Sequence, residues 1–234
     1  YLGKPKMPRY KKSDLTTVII TNQDAVLYRD DIGTSLKLPL QKQRLYFSNL
    51  SSDPVLKEVK IKPYYGRFLL CLTLEEPDVA FDPSGSHVCA IDLGTDNFAA
   101  IVCDDYSSAI YKGGAVLSNT QWFHKQRAKY ISIITKGHSQ MNATSARLKD
   151  LSFHHANFTK DQCHKISRNM IGFCLEHHAG TLILGVNPLW KQRTNMGTAS
   201  NQKFVAMPIS ILRIMISYKA VSYTHLRAHE TDQY

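Results

Sequence analysis

The run Val88-Cys-Ala-Ile-Asp-Leu-Gly-Thr-Asp-Asn-Phe-Ala-Ala100 reads as an apolar strand that turns at Gly94 and carries one carboxylate, Asp92, within it. Side chains alternate along a strand, so Val88, Ala90 and Asp92 share one side. Burying a carboxylate there costs roughly several kcal/mol unless a cation or strong donors receive it. Asp92 is therefore a candidate metal ligand or phosphate-site residue, and the plainer alternative is an Asp that caps the turn backbone. The second chemical group is cationic. The chain carries a net charge of +10, and Lys4, Lys6, Arg9, Lys11 and Lys12 form a basic, proline-bearing arm. Lys60 and Lys62 form a basic strand face, and Lys165 and Arg168 lie on a helix. Trp190 and Lys191 sit in a polar loop. Such residues neutralise the phosphates of nucleic acid, and the alternative for each is a solvated loop or helix face.

Cysteine usage points elsewhere. Cys71, Cys89, Cys103, Cys163 and Cys174 are scattered and set in apolar stretches, which predicts free thiols in a reducing compartment. No Cys-x-x-Cys pair occurs, so no zinc ribbon is expected. Cys174, His177 and His178 would share a helix face, a weak metal signal. There is no run of about twenty apolar residues, so no membrane span is expected.

These residues need elements to position them. Thr17–Thr21, Ala25–Tyr28, Leu36–Pro39, Glu58–Lys62 and Arg67–Leu74 read as short strands, and their number suggests a small barrel over residues 1–80. A turn-rich linker follows around Glu76–Gly85. Val88–Leu93, Asn97–Cys103 and Ser108–Tyr111 read as an antiparallel meander with Asp92 on its first member. Thr120–Lys136 is helical, Thr144–His178 holds one or two long helices, and Gly180 has the place of a C-cap. Thr181–Val186 is an apolar strand, and strand–helix–strand order implies a parallel return beside the first strand. Pro208–Ala220 is a last helix. Three meander strands, helices and a parallel fourth strand form the start of a ribonuclease-H-like layer, whose first strand carries an acid at its functional edge.

Two features mark the ends. Val221-Ser-Tyr-Thr-His-Leu-Arg-Ala-His-Glu-Thr231 resembles the in-frame translation of a sequencing-library transposon adapter. Residues 221–234 are read as an artefactual tail, expected to pack against nothing. The chain opens on Tyr1 rather than Met and reads as an internal piece of a larger protein.

The motifs carry a resemblance. Gly3-Lys-Pro-Lys-Met-Pro-Arg-Tyr-Lys-Lys, Ala90-Ile-Asp-Leu-Gly-Thr-Asp-Asn and His164-Lys-Ile-Ser-Arg come first, in order. Leu182-Ile-Leu-Gly-Val-Asn, Trp190-Lys-Gln, Asn201-Gln-Lys-Phe-Val and Tyr218-Lys-Ala follow. Together they resemble the TnpB (OrfB) proteins of insertion sequences, RNA-guided DNA endonucleases with a RuvC-type nuclease domain. The resemblance implies a mixed α/β protein. Residues 1–80 would be a wedge-like β-barrel gripping guide RNA, and residues 86–220 the front part of a RuvC domain with long inserted helices. It implies guide RNA and target DNA as partners, a prokaryotic cytoplasmic location, and Mg²⁺ on Asp92, the first catalytic acid. Two-metal hydrolysis needs several carboxylates. The strand matched by Leu182–Asn187 has no acid, and Glu230 belongs to the tail. The intact protein is thus expected to be a metal-dependent endonuclease, and this chain to be inactive. Two other readings compete: an actin- or chaperone-type ATPase, which also carries Ile-Asp-Leu-Gly-Thr, and a non-catalytic RNA-binding relic.

Overall fold

A computed structural model describes residues 15–31, 33–47, 55–75, 85–136, 144–186, 203, 205–224 and 227–232. They fall into two compact units, Tyr1–Val79 and Ala80–Tyr234.

In the first unit the strands are β1 (Val18–Thr21), β2 (Val26–Asp30), β3 (Gly33–Lys37), β4 (Leu45–Phe47), β5 (Val55–Tyr64) and β6 (Arg67–Glu75). Where the sequence suggests a small barrel, the described strands form two three-stranded antiparallel sheets, β1-β5-β6 and β2-β3-β4. They contribute to one buried cluster of Ala25, Leu36, Leu38, Leu56 and Val59. The β5–β6 hairpin closes on Tyr65 and Gly66, both at positive φ (46° and 79°), the backbone that a tight two-residue hairpin demands. Val59 and Ile61 turn toward the core, and Lys60 and Lys62 away from it.

The second unit is built from β7 (His87–Leu93), β8 (Asn97–Cys103), β9 (Ser108–Lys112), α1 (Gly114–Thr135), α2 (Ala146–Glu176), β10 (Ala179–Val186), α3 (Ile209–Thr224) and β11 (Arg227–Asp232). The sheet order is β11-β10-β7-β8-β9. β7, β8 and β9 form the expected meander, and β10 returns parallel to β7 after the helical crossover. This is the ribonuclease-H-like arrangement within a mixed α/β protein. One sheet face is closed by helices. Cys89, Ile91, Leu93, Phe98, Ile101, Leu182 and Leu184 share a core with Met170, Ile171, Cys174, Leu212 and Ile216. Each fully buried Leu, Ile or Phe there contributes roughly 1.5–3 kcal/mol.

Three local readings differ from the sequence expectation. α1 begins at Gly114, six residues before Thr120, because the Lys112-Gly-Gly turn leads straight into the helix with Gly113 as its N-cap. α2 is one helix of 31 residues, started by Ser145, whose Oγ accepts a bond from the Leu148 N–H at 3.2 Å. It ends at Glu176, and His178 (φ 48°) makes the left-handed exit assigned to Gly180. Gly180 instead lies in β10, so close to Gly85 that a Cβ would meet the Gly85 carbonyl oxygen at 2.1 Å.

The tail departs further from expectation. α3 continues through Thr224, and Arg227–Asp232 pairs with β10 in parallel register, Thr181 opposite Arg227 and Val186 opposite Asp232. The reason lies in the backbone. The outer edge of β10 presents a row of N–H and C=O groups that any extended segment can satisfy, whatever its side chains.

Candidate functional site

Asp92 occupies the last turn of the alternation on β7, opposite Ala100 on β8. Cys89, Ile91 and Leu93 face the helices, so Val88, Ala90 and Asp92 face the other way. That face carries no helix among the described residues, and Val102 and Ile110 on it are 51% and 60% exposed. Asp92 is exposed, not buried. The cost of desolvating a carboxylate therefore does not arise, because it presumes a sheet covered on both sides.

Around Asp92 the sheet forms an open depression of about 380 Å³, floored by small or apolar residues such as Ala90, Ala100, Val102, Ile183 and Gly185. Among the described residues, Asp92 is the one acid lining it. Leu184 of β10 lies opposite Ile91, so the next position along β10, where a second acid could stand beside Asp92, is Gly185. Gly94 closes the β7–β8 hairpin through its N–H to the Phe98 carbonyl at 3.3 Å, which fixes Asp92 at the strand end. Mg²⁺ takes octahedral oxygen coordination, and a two-metal site requires several carboxylates. The acids of the described face do not fit a two-metal centre.

The cationic residues divide among distinct places. Lys60 and Lys62 lie on β5, Lys60 paired with Glu58 and Lys62 exposed. Lys165 and Arg168 are exposed on α2, with Lys165 bridged to Asp161 at 2.7 Å. Lys4, Lys6, Arg9, Lys11, Lys12, Trp190 and Lys191 lie outside the described residues. Lys165 and Arg168 line a cleft of about 550 Å³ between α2 and α3, together with His164, Tyr218 and Lys219. Sequence reasoning passed over Lys219, although its signal was present: Tyr218-Lys-Ala and His164-Lys-Ile-Ser-Arg are both motifs, and the structure brings them together.

At the far end of β7 from Asp92 lies a second polar cluster that the sequence showed only as a turn. His87 Nδ1 pairs with Asp104 Oδ1 at 2.7 Å, and His177 Nδ1 with Asp105 Oδ2 at 2.7 Å. The His87 hydrogen bond, then the Val88 N–H at 3.0 Å, hold Asp104 below the usual carboxylate range. The Ser107 N–H at 2.8 Å, then His177, lower Asp105 to about 2. Ligand atoms of His87, Cys103 and Asp104 lie within 4.8 Å of one another, a set that could hold a divalent ion. The Cys174, His177 and His178 grouping is not formed. Cys174 points into the core, where burial pushes its thiol up to about 11, while His177 turns to Asp105. All five cysteines are free thiols. Among the described residues no helix is long and apolar enough to cross a membrane.

Comparisons with known proteins follow this geometry. No curated protein matches the chain. Among solved structures, the Cas12f1–sgRNA–target DNA complex aligns with a TM-score of 0.57 at 14% identity, over 76% of this chain and 36% of that one. A CRISPR-Cas12f ternary complex aligns over the same shares at 14% identity and a TM-score of 0.44. The chain thus spans about a third of the length of these structures, and the first of them supports the RuvC-like fold. The family model OrfB_IS605, described as a probable transposase, matches residues 71–188, half of the chain, which includes Asp92 and both long helices. The chain belongs to this OrfB_IS605 family of transposases, the TnpB family.

Proposed function

We propose that this protein is the nucleic-acid-binding and first-carboxylate portion of a TnpB-like, RNA-guided DNA endonuclease, with guide RNA and target DNA as its partners. The observation that carries the reading is Asp92. It stands at the end of the central strand of a ribonuclease-H-like sheet, on the face that no helix covers, in a member of a transposase family. An exposed carboxylate at that edge is accessible to a phosphodiester and to a hydrated Mg²⁺. The basic residues of the first unit supply phosphate contacts that are insensitive to sequence. With Asp92 as the one acid of its depression among the described residues, this chain binds nucleic acid and does not cleave it.

Filter binding of a hairpin RNA and of duplex DNA, at several salt concentrations and with Mg²⁺ present, tests this. RNA binds more tightly, the logarithm of affinity falls linearly with that of salt, and neither substrate is cut. Asp92→Ala leaves RNA affinity and the melting temperature unchanged, since an exposed side chain away from the core carries little stability. Cleavage by the purified chain that Asp92→Ala abolishes would overturn the inactive reading. Absence of any salt-dependent binding would overturn the nucleic-acid reading.

A further inference from the structure

The cleft between α2 and α3 has an unusual electrostatic composition. Lys219 is 94% buried by its 6% exposure, yet its ammonium meets only neutral acceptors in the bonds it makes to α2. These are the His164 carbonyl at 2.8 Å and Ser167 Oγ at 2.7 Å. Burial, then the nearby Arg168 guanidinium, hold Lys219 below the usual lysine range. Burial, then Lys219 and Lys160, lower His164 as well, and an imidazole, neutral or protonated, supplies no negative charge to an ammonium. Lys165 is occupied by Asp161, and no acid lines the cleft among the described residues. A buried ammonium beside a second cation is costly, and an oxyanion between the buried Lys219 and the exposed Arg168 relieves both burial and repulsion. Arg168 is well suited to it, since guanidinium binds phosphate through paired N–H groups.

We propose that the α2–α3 cleft is a phosphate-binding subsite, in which Lys219 and Arg168 hold one phosphate of a nucleic-acid strand. The proposal rests on the nucleic-acid reading above and names the place where it acts. The cleft volume, about 550 Å³, exceeds a phosphate alone and admits its nucleoside. Tyr218 on the rim provides a ring against which a base can stack. The cleft is open at Gly172, where an added Cβ would meet nothing within 4 Å.

Two variants of the full chain test the subsite through different means. Arg168→Gln removes an exposed charge, and Gly172→Phe fills the cleft while leaving every cation in place. Lys149→Gln, an exposed cation near the start of the same helix, is the control. Hairpin RNA affinity falls about tenfold or more in both cleft variants, and Arg168→Gln lowers the salt slope by about one. The control stays within about twofold, and circular dichroism melts show all three folded. Arg168→Lys retains part of the affinity because the charge remains. Inorganic phosphate, titrated at constant ionic strength, raises the melting temperature of the wild type and not of Gly172→Phe. RNA binding and phosphate response equal to wild type in both cleft variants would overturn the subsite. If wild type binds no RNA but keeps a phosphate response lost in both variants, the cleft is a site for free phosphate. In that case the nucleic-acid strand is overturned as its ligand, and the nucleic-acid reading fails with it.

Discussion

At the scale of single residues, charge and exposure decide what each acid can do. Asp92 is exposed at the end of β7, and Asp104 and Asp105 are held by histidines and backbone N–H groups. Asp105 has its folded-state pKa lowered to about 2, by the Ser107 N–H and then His177. A lowered carboxyl pKa means that the unfolded chain binds more protons between the two values. The contribution is therefore fully present above about pH 4 and is lost as pH falls toward 2. Chemical denaturation of the wild type should show stability declining over that window. Asp105→Asn should flatten the decline while leaving RNA affinity intact. An identical pH profile in both proteins would show that the pair contributes nothing to folding. The sequence marked Asp104 and Asp105 only as turn residues, because their histidine partners are 17 and 72 positions away.

At the scale of elements, ends matter more than middles. α2 begins on Ser145, whose hydroxyl accepts the Leu148 N–H that would otherwise have no helical partner. Ser145→Ala should cost about 1 kcal/mol in urea titrations, and Ser145→Asp should retain the stability. A cost near zero would mean that the packing of Leu148 alone sets the helix start. The same helix is held to α1 by the His155 ring stacked on Phe123, at 4.2 Å between centroids, with Asn119 bonded to its Nδ1 at 2.8 Å. The outer edge of β10 is paired with the backbone of β11 in parallel register. Truncation after Thr224 should expose outward-facing amides of β10 to fast hydrogen exchange. Scrambling Arg227–Asp232 without proline should preserve their protection. Fast exchange in the untruncated chain would show that β11 does not pair in solution and would restore the expectation of a tail without contacts.

At the scale of the whole molecule, two units each carry a hydrophobic cluster of their own. The larger contains the sheet, the three helices, Asp92 and the α2–α3 cleft. Residues 80–234 expressed alone should therefore give a cooperative thermal transition by circular dichroism, since their core is drawn from within that range. A broad, non-cooperative melt would mean that this core needs residues 1–79 to form. Asp92→Ala should leave the transition in place, because Asp92 lies outside the buried cluster.

By itself, the sequence determined the meander, the helical block after it and the parallel apolar strand, because hydrophobic period is a local property that the backbone reads directly. It also determined which side of β7 bears Asp92, since alternation is independent of what packs on either face. Tertiary structure decided whether that side was covered. The helices close only the Ile91 face, which leaves Asp92 exposed rather than buried. It decided as well that Lys219 meets Ser167, 52 positions away, and that the edge of β10 takes a strand from a segment with no sequence pattern for it. Packing partners distant in sequence and unsatisfied backbone at a sheet edge leave no periodic trace, so these contacts become visible only once the chain has folded.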